Sequence, residues 1–491
     1  MPNEPLTTAA ALTAVGLLLL VSVLASRASG RLGIPAALVF LAIGVVAGAE
    51  GMSGSRFADP LVAFRAGTIA LVLILFDGGL NTSLESLRPA IAPATVLATV
   101  GVCGTAGLTA LGARAVGIPW SIALLFGAVV SSTDAAAVFS VLRNVGIQLR
   151  RRVAAVLEAE SGINDPMAVI LTIAFTQAIA EGRQPSIALL GEAAIQLVDG
   201  LAVGIAVGFA ARALLTRVRL AASGLVPVLT LAIAFAAFGV ATLLHGSGFL
   251  AVYVAAVVLG NGPLPYLAGV RRVHDAMAWF AQVAMFLLLG LLASPARLAE
   301  VAPRGVVITL FLVVVARPVV VAACLLPFRI PFREIAFVAW VGLRGAVPVI
   351  LATYPMLAAV PGARSLFHLV FFVVVVSTAL LGATIRPLAR RLGLEAPAPP
   401  PARAVLEIAA AQPLSSEVLS FYVEPASAVA GSRIADLPFP EDSAVMLVVR
   451  GRELLAPRGT TVLAPGDHVY VFAHAADKPL VQLLFGREEE G

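Results

Sequence analysis

Roughly thirteen apolar runs of about 20 residues each, the length a helix needs to cross a bilayer, fill this 491-residue chain as far as residue 386. They lie near residues 8–26, 34–50, 61–80, 91–113, 119–142, 153–180, 187–215, 224–244, 247–262, 274–293, 304–327, 334–358 and 365–386. Lipid offers no hydrogen bonds, so every backbone N–H and C=O in such a run must find its partner within the chain, and a helix is the structure that does this. The composition agrees: 12% of residues are charged, where a soluble globule has about a quarter. A polytopic α-helical membrane protein is the only class left.

The net charge of +5 does not argue for nucleic acid, because the basic residues are scattered between the apolar runs and form no single patch. They read instead as topology markers. Clusters such as Arg150-Arg151-Arg152, Arg271-Arg272 and Arg390-Arg391 fall on alternate loops, while the opposite loops carry single arginines such as Arg56, Arg114, Arg183 and Arg364. By the positive-inside rule the N-terminus is outside and the C-terminus cytoplasmic. The first ten residues hold Glu4 and no Lys or Arg, so the first run reads as a retained helix and not a cleaved signal. Cys103 and Cys324 lie inside apolar runs, too far apart in sequence to suggest a disulfide framework or a metal motif.

One stretch breaks the apolar pattern most sharply: Glu158-Ala159-Glu160-Ser161-Gly162-Ile163-Asn164-Asp165-Pro166, inside the sixth span. Acids at bilayer depth face protein or a wet cavity and usually have a function. Glu160 with Asn164, and Ser161 with Asp165, are i, i+4 pairs that give the helix one polar face. Pro166 has no N–H to give to the Gly162 carbonyl, which is therefore open to another partner. Carboxylate, hydroxyl and bare carbonyl are hard-cation ligands.

Two other spans read as broken. The fifth carries Ser131-Ser132-Thr133-Asp134 near its middle and the twelfth carries Gly342-Leu343-Arg344-Gly345-Ala346-Val347-Pro348. Unwound backbone at membrane depth is tolerated only where it lines a cavity or is buried in protein. The odd separation of the two spans makes them cross in opposite directions, as broken helices do in transporters built from inverted repeats. The acids within spans are Asp77, Asp134, Glu160 and Asp165, and the arginines are Arg317 and Arg344. Pairing by charge assigns Arg344 to Glu160 as a structural ion pair, with Arg317 read as a packing anchor. Asp134 and Asp165 are then the acids that take the transported charge. A carboxylate that holds either a proton or a metal cation, and that crosses only when loaded, moves the two in opposite directions. No HExxH or GxSxG motif lies in the spans, which argues against an intramembrane enzyme. A gated cation channel is the less favoured alternative, since it would move no protons.

These runs, with Leu75-Phe76-Asp77-Gly78-Gly79-Leu80, Gly246 to Tyr253 and Leu259-Gly260-Asn261, resemble the monovalent cation/proton antiporter family of the NhaP type over residues 8–390. The resemblance implies about thirteen helices in two inverted repeats and a homodimer in the bacterial inner membrane. It implies an ion held by Thr133, Asp134, Ser161 and Asp165 with Asp77 nearby, a Glu160–Arg344 pair close to Asn164 and Gly162, and no cofactor. Asn164-Asp165, where electrogenic relatives have two aspartates, implies electroneutral exchange of K+ or Na+ (or Li+) for H+. One departure is Asp77, where close relatives often carry the longer glutamate.

After Leu392 the composition changes to a proline-rich linker, taken as residues 393–404. Residues 405–491 are too polar to span; Val418–Val423, Ala444–Val449 and His468–Phe472 read as strands and Lys478–Phe485 as a short helix. Gly431 to Leu437, Leu454 to Gly459 and Val462 to Asp467 resemble the TrkA C-terminal regulatory domain of potassium transport systems. That resemblance tilts the cation toward K+ and implies control by a small cytoplasmic ligand, with a nucleotide expected.

Overall fold

The computed structural model describes residues 4–32, 35–49, 59–144, 147–183, 188–218, 220–262, 264, 266–396, 416–425, 427–440, 443–451, 453–474 and 476–486. The chain divides into two compact units, one helical and one built on a sheet.

Each of the thirteen apolar runs has a helical counterpart. In chain order these are α1 (Glu4–Leu32), α2 (Ala36–Ala49), α3 (Pro60–Asn81), α4 (Ile91–Ala115), the pair α5 (Trp120–Val129) and α6 (Ala135–Asn144), α7 (Arg151–Ala180) and α8 (Ala188–Arg217). There follow α9 (Leu225–Leu243), α10 (Gly248–Gly260), α11 (Leu267–Leu292), α12 (Pro295–Phe328), the pair α13 (Phe332–Trp340) and α14 (Val347–Leu357), and α15 (Ala363–Leu392). The fifth and twelfth spans are interrupted at 130–134 and 341–346, where the sequence places polar residues and glycines. The spans before them match as well. A π turn sits inside α4 at Leu97–Gly101 and another inside α12 at Leu312–Ala316. The second has a plain cause, since Pro318 cannot donate to the carbonyl four residues back and the ladder shifts register around it. Paired distortions in opposed spans are the pattern of an inverted-repeat transporter.

Packing follows the small residues. Gly200, Gly204 and Gly208 make one stripe on α8, and side chains at these positions would overlap Ser247, Ala251 and Val258 of α10 and its N-cap. Between membrane helices such close backbone approach supplies the dispersion energy that the hydrophobic effect cannot. A second cluster gathers α4, α6, α7, α12, α13 and α15 around Leu97, Val138, Val156, Val321, Phe337 and Leu381. This bundle carries both breaks and the polar face of α7. The segment after α15 is tied to it: β1 (Gln148–Leu149), just before α7, pairs antiparallel with β2 (Glu395–Ala396), and the Arg150 N–H donates to the Leu394 carbonyl at 3.1 Å. Glu395–Ala396, which the sequence alone places in the linker, is thus paired backbone.

The second unit holds β3 (Ser416–Tyr422), β4 (Ala444–Arg450), β5 (Glu453–Leu455) and β6 (Asp467–His474) in an antiparallel sheet of order β3-β6-β4-β5. Its core of Leu419, Phe421, Val448, Val469 and Val471 is closed by Val481 and Phe485 of α16 (Lys478–Phe485). Arg450 clamps Asp467 with two bonds of 2.8 Å, while the Asp467 carboxylate also accepts from the Ala464 N–H and so fixes the turn before β6. That pairing raises the Arg450 pKa above its ordinary value. The boundary expected at residue 405 and most of the proline-rich stretch lie outside the described residues.

Candidate cation site

The break in the fifth span exists because Ser131 to Asp134 offer side-chain partners that compete with the helical ladder. Asp134 ends it: its carboxylate accepts from the Ala137 N–H at 3.0 Å and caps α6, offsetting the positive end of that helix. Its own N–H donates to the Leu343 carbonyl at 2.8 Å, so the two breaks cross and touch. The contact needs Gly345, because a methyl group there would overlap the Asp134 carboxylate.

The polar face of α7 packs against this crossing. Asn164 Nδ2 donates to Thr133 Oγ1 at 2.6 Å and reaches the Thr133 carbonyl at 3.3 Å. Ser161 Oγ donates to the same carbonyl at 3.1 Å and accepts from the Ala135 N–H at 3.2 Å. Asp165 is bonded by Ser132 and lies within electrostatic range of Asp134. Thr133, Asp134, Ser161, Asn164 and Asp165 therefore form one cluster, with Thr133, Asn164 and Asp165 all buried. The Asn164 Oδ1, on a residue with no exposed surface, has no hydrogen-bond partner among the described residues. Hydroxyls, a carbonyl and two carboxylates at one point are what a desolvated monovalent cation requires.

Glu160 behaves differently from expectation. Its carboxylate is held by Arg317: Nη2 donates to Oε2 at 3.1 Å and Nη1 lies 2.8 Å from Oε1, an ion pair that is nearly fully buried. The Arg344 assignment is therefore corrected, and so is the reading of Arg317 as a packing anchor. The physical reason lies in the backbone. Arg317 directly follows the π turn of α12, which aims it into the bundle, whereas Arg344 folds back to donate to the Gly342 carbonyl of its own break at 2.5 Å. An open carbonyl in an unwound span is costly in lipid, and Arg344 satisfies it. Thr378 of α15 binds the Arg344 carbonyl at 2.8 Å, so this turn is fixed from both sides. The Arg344 guanidinium still feels both Arg317 and Glu160.

Asp77, also expected at the site, lies on α3. It accepts from Asn81 at 3.1 Å and interacts with Arg271 and Asp275 of α11. Arg271 also binds the terminal carbonyls Leu80 and Gly260 of α3 and α10. Asp199, half-buried on α8, lies against Gly246. Sequence reasoning missed Ser132 as a partner of Asp165 and Arg317 as the partner of Glu160; Pro318 was the one signal that the backbone near Arg317 is irregular. Among the described residues no group of His, Cys, Asp and Glu is arranged to hold a resident metal ion.

Residues 16–391 match the sodium/hydrogen exchanger, transmembrane, family and residues 418–486 match the TrkA-C domain. The chain is 41% identical over 471 residues to the K(+)/H(+) antiporter NhaP of Alkalimonas amylolytica, covering 95% of this chain and 81% of that one. It is 38% identical over 483 residues to the K(+)/H(+) antiporter NhaP2 of Shewanella oneidensis, covering 96% and 83%. The Na(+)/H(+) antiporter NhaS2 of Synechocystis is 26% identical over 339 residues, covering 67% and 62%. Among solved structures, the sodium proton antiporter MjNhaP1 of Methanocaldococcus jannaschii has the same fold, with a TM-score of 0.67 at 22% identity over 78% of this chain and 99% of that one. The chain thus belongs to the sodium/hydrogen exchanger family: it is a multi-pass membrane cation/proton antiporter, a transporter and not an enzyme, with a TrkA-C domain at its C-terminal end.

Proposed function

We propose that the protein exchanges K+ for H+ one for one, with Asp165 and Asp134 as the shared binding site and Thr133 and Ser161 completing the shell around the ion. The observation that carries this is the charge composition of the buried cluster. Glu160 is balanced by Arg317. Among the described residues Arg344 adds one positive charge and Asp134 and Asp165 add two negative ones, which leaves these groups one charge short of neutrality. One monovalent cation or one proton makes up the difference, and a low-dielectric interior strongly favours the neutral total. Either load therefore crosses as a neutral bundle, and the exchange is electroneutral.

K+ is favoured because relatives aligned over nearly the whole chain are named K+/H+ antiporters and the TrkA-C type of domain is attached. The second reading is Na+, which rests on the names of a more distant relative and of the solved structure. The setting proposed is the bacterial inner membrane, with the N-terminus outside and the sheet domain cytoplasmic. There the protein forms a homodimer, with a small regulatory ligand, a nucleotide in the first instance, bound between two TrkA-C domains. The test is proton movement in sealed vesicles on adding K+, Na+ or Li+ in turn, with the membrane potential clamped at several values. A K+ response that does not change with potential is expected. A response to Na+ alone selects the second reading, and a potential-dependent rate rejects one-for-one exchange.

A further inference from the structure

Gly162 and Asp165 stand three residues apart on α7, so they share a face about 4.5 Å apart along the axis. Over Gly162 lies the ring of Tyr253. A methyl group at Gly162 would overlap both the ring and its hydroxyl. Tyr253 does not belong to the bundle that holds the site. It sits on α10, whose backbone at Tyr253 touches Gly79 of α3, and its hydroxyl lies 3.3 Å from Thr82 Oγ1 at the end of α3. Thr82 donates its own proton to the Gly78 carbonyl at 2.7 Å, so the phenol is the natural donor to Thr82. Tyr253 and Thr82 are both buried. A rigid aromatic plane thus reaches out from α3 and α10 and rests on the bare backbone of the site helix.

The same face of α7 continues from Gly162 to Glu158, one turn nearer the start of the helix. Glu158 is half-buried and interacts electrostatically with Tyr253. Along one stripe of α7 there is, then, an acid toward the helix start, a tyrosine lying on a glycine, and the buried Asp165. We infer that Tyr253 is the gate on this side of the cation site and that Glu158 gathers cations in front of it. This deepens the exchange reading and rests on it for the identity of the ion. Gly162 makes the gate tight, because any side chain would hold the ring off the helix. The seal joins two groups of helices, so moving the site bundle against α3 and α10 carries the ring off Gly162 and opens the path.

The test reads access and not transport, so it fails separately from the exchange reading. In full-length protein with Cys103→Ala and Cys324→Ala, Asp165→Cys is labelled by a small cationic methanethiosulfonate reagent in nanodiscs, where both faces meet the solution. If the gate is open for at most about 10% of the time, Tyr253→Ala should raise the labelling rate at least about tenfold. Tyr253→Phe, which keeps the ring, should label at the rate seen with Tyr253. Equal rates for all three, or a Phe variant as fast as the Ala variant, overturn the gate. Glu158→Gln changes no core residue and tests the approach route even if the Ala variant does not fold. Focusing of cations by a mouth charge is worth about tenfold or more in local concentration, so the KM for the cation should rise by about that factor with Vmax kept. An unchanged KM removes Glu158 from the route.

Discussion

Asp165 has a carboxylate where α7 would otherwise be apolar, placed one residue before a proline and bonded by Ser132. Replacing it with Asn keeps the size and the hydrogen-bonding capacity but removes the charge that a proton and a cation compete for. Asp165→Asn is expected to fold and to lose exchange, measured as cation-driven proton flux in vesicles; undiminished flux would sink the mechanism. The neighbouring Glu160 makes a different prediction. Stranding one partner of a buried pair costs about 3–5 kcal/mol, so Glu160→Ala and Arg317→Ala should each lower thermal stability strongly. Residues in contact give coupling energies of about 0.5–3 kcal/mol in double-mutant cycles. Glu160 with Arg317 should fall at the top of that range and Glu160 with Arg344 well below it. The reverse ranking would restore the pairing that charge balance alone suggests. That balance shows why the site was only partly legible in the sequence. A polar face of Glu160, Ser161, Asn164 and Asp165 follows from spacing, and Ser161, Asn164 and Asp165 do gather at the break that carries Thr133. Which of two arginines reaches Glu160 depends on a π turn that re-aims Arg317, and no periodicity records it. Asp77 likewise feels Arg271 and Asp275, an attraction and a repulsion from residues far away in sequence.

At the scale of elements, the crossing of the two breaks is the part most sensitive to volume. Gly345 lies against the Asp134 carboxylate and has no positive φ, so its role is space and not backbone freedom. Gly345→Ala should push the breaks apart, costing about 1–3 kcal/mol as overpacking does, and should slow exchange. Gly239 is the control: it sits in α9 with nothing near its missing side chain. There Gly→Ala should be neutral or stabilising by about 0.4–1 kcal/mol through the unfolded chain. Comparing melting temperatures and exchange rates of the two variants checks the argument, and equal losses would mean that Gly345 is an ordinary helix-end glycine. The spans themselves were open to reading because lipid leaves a chain only one way to satisfy its backbone, so twenty apolar residues mean a helix. The breaks were open to reading because polar residues and glycines at that depth contradict the pattern around them. The β1–β2 pairing was not. Two-residue strands carry no alternation, and their partners lie far apart in the chain.

At the scale of the whole molecule, that short pairing decides how the TrkA-C domain could act on exchange. The chain leaves α15, whose Thr378 holds the Arg344 turn, and is fastened through β2 to β1 at the very start of α7, which carries Asp165. A ligand that binds the domain differently in two transporter states shifts the equilibrium only by that difference, typically about 1–3 kcal/mol. The domain holds no acid of the site, so removing it should leave exchange intact while changing its pH profile or its response to a ligand. Two truncations separate the domain from its fastening. Ending the chain after Ala396 keeps the β1–β2 pair, whereas ending it after Leu392 removes β2 and the Arg390–Glu395 ion pair with it. If the domain regulates through this strap, the longer truncation should abolish the response to cytosolic extract but keep the rate. The shorter one should also lower the rate, because the start of α7 loses its anchor. Exchange measured against pH for full-length and both truncated proteins, in the same vesicles with and without extract, gives the answer. Identical curves throughout would assign the domain to assembly or stability and leave β1–β2 as a passive staple.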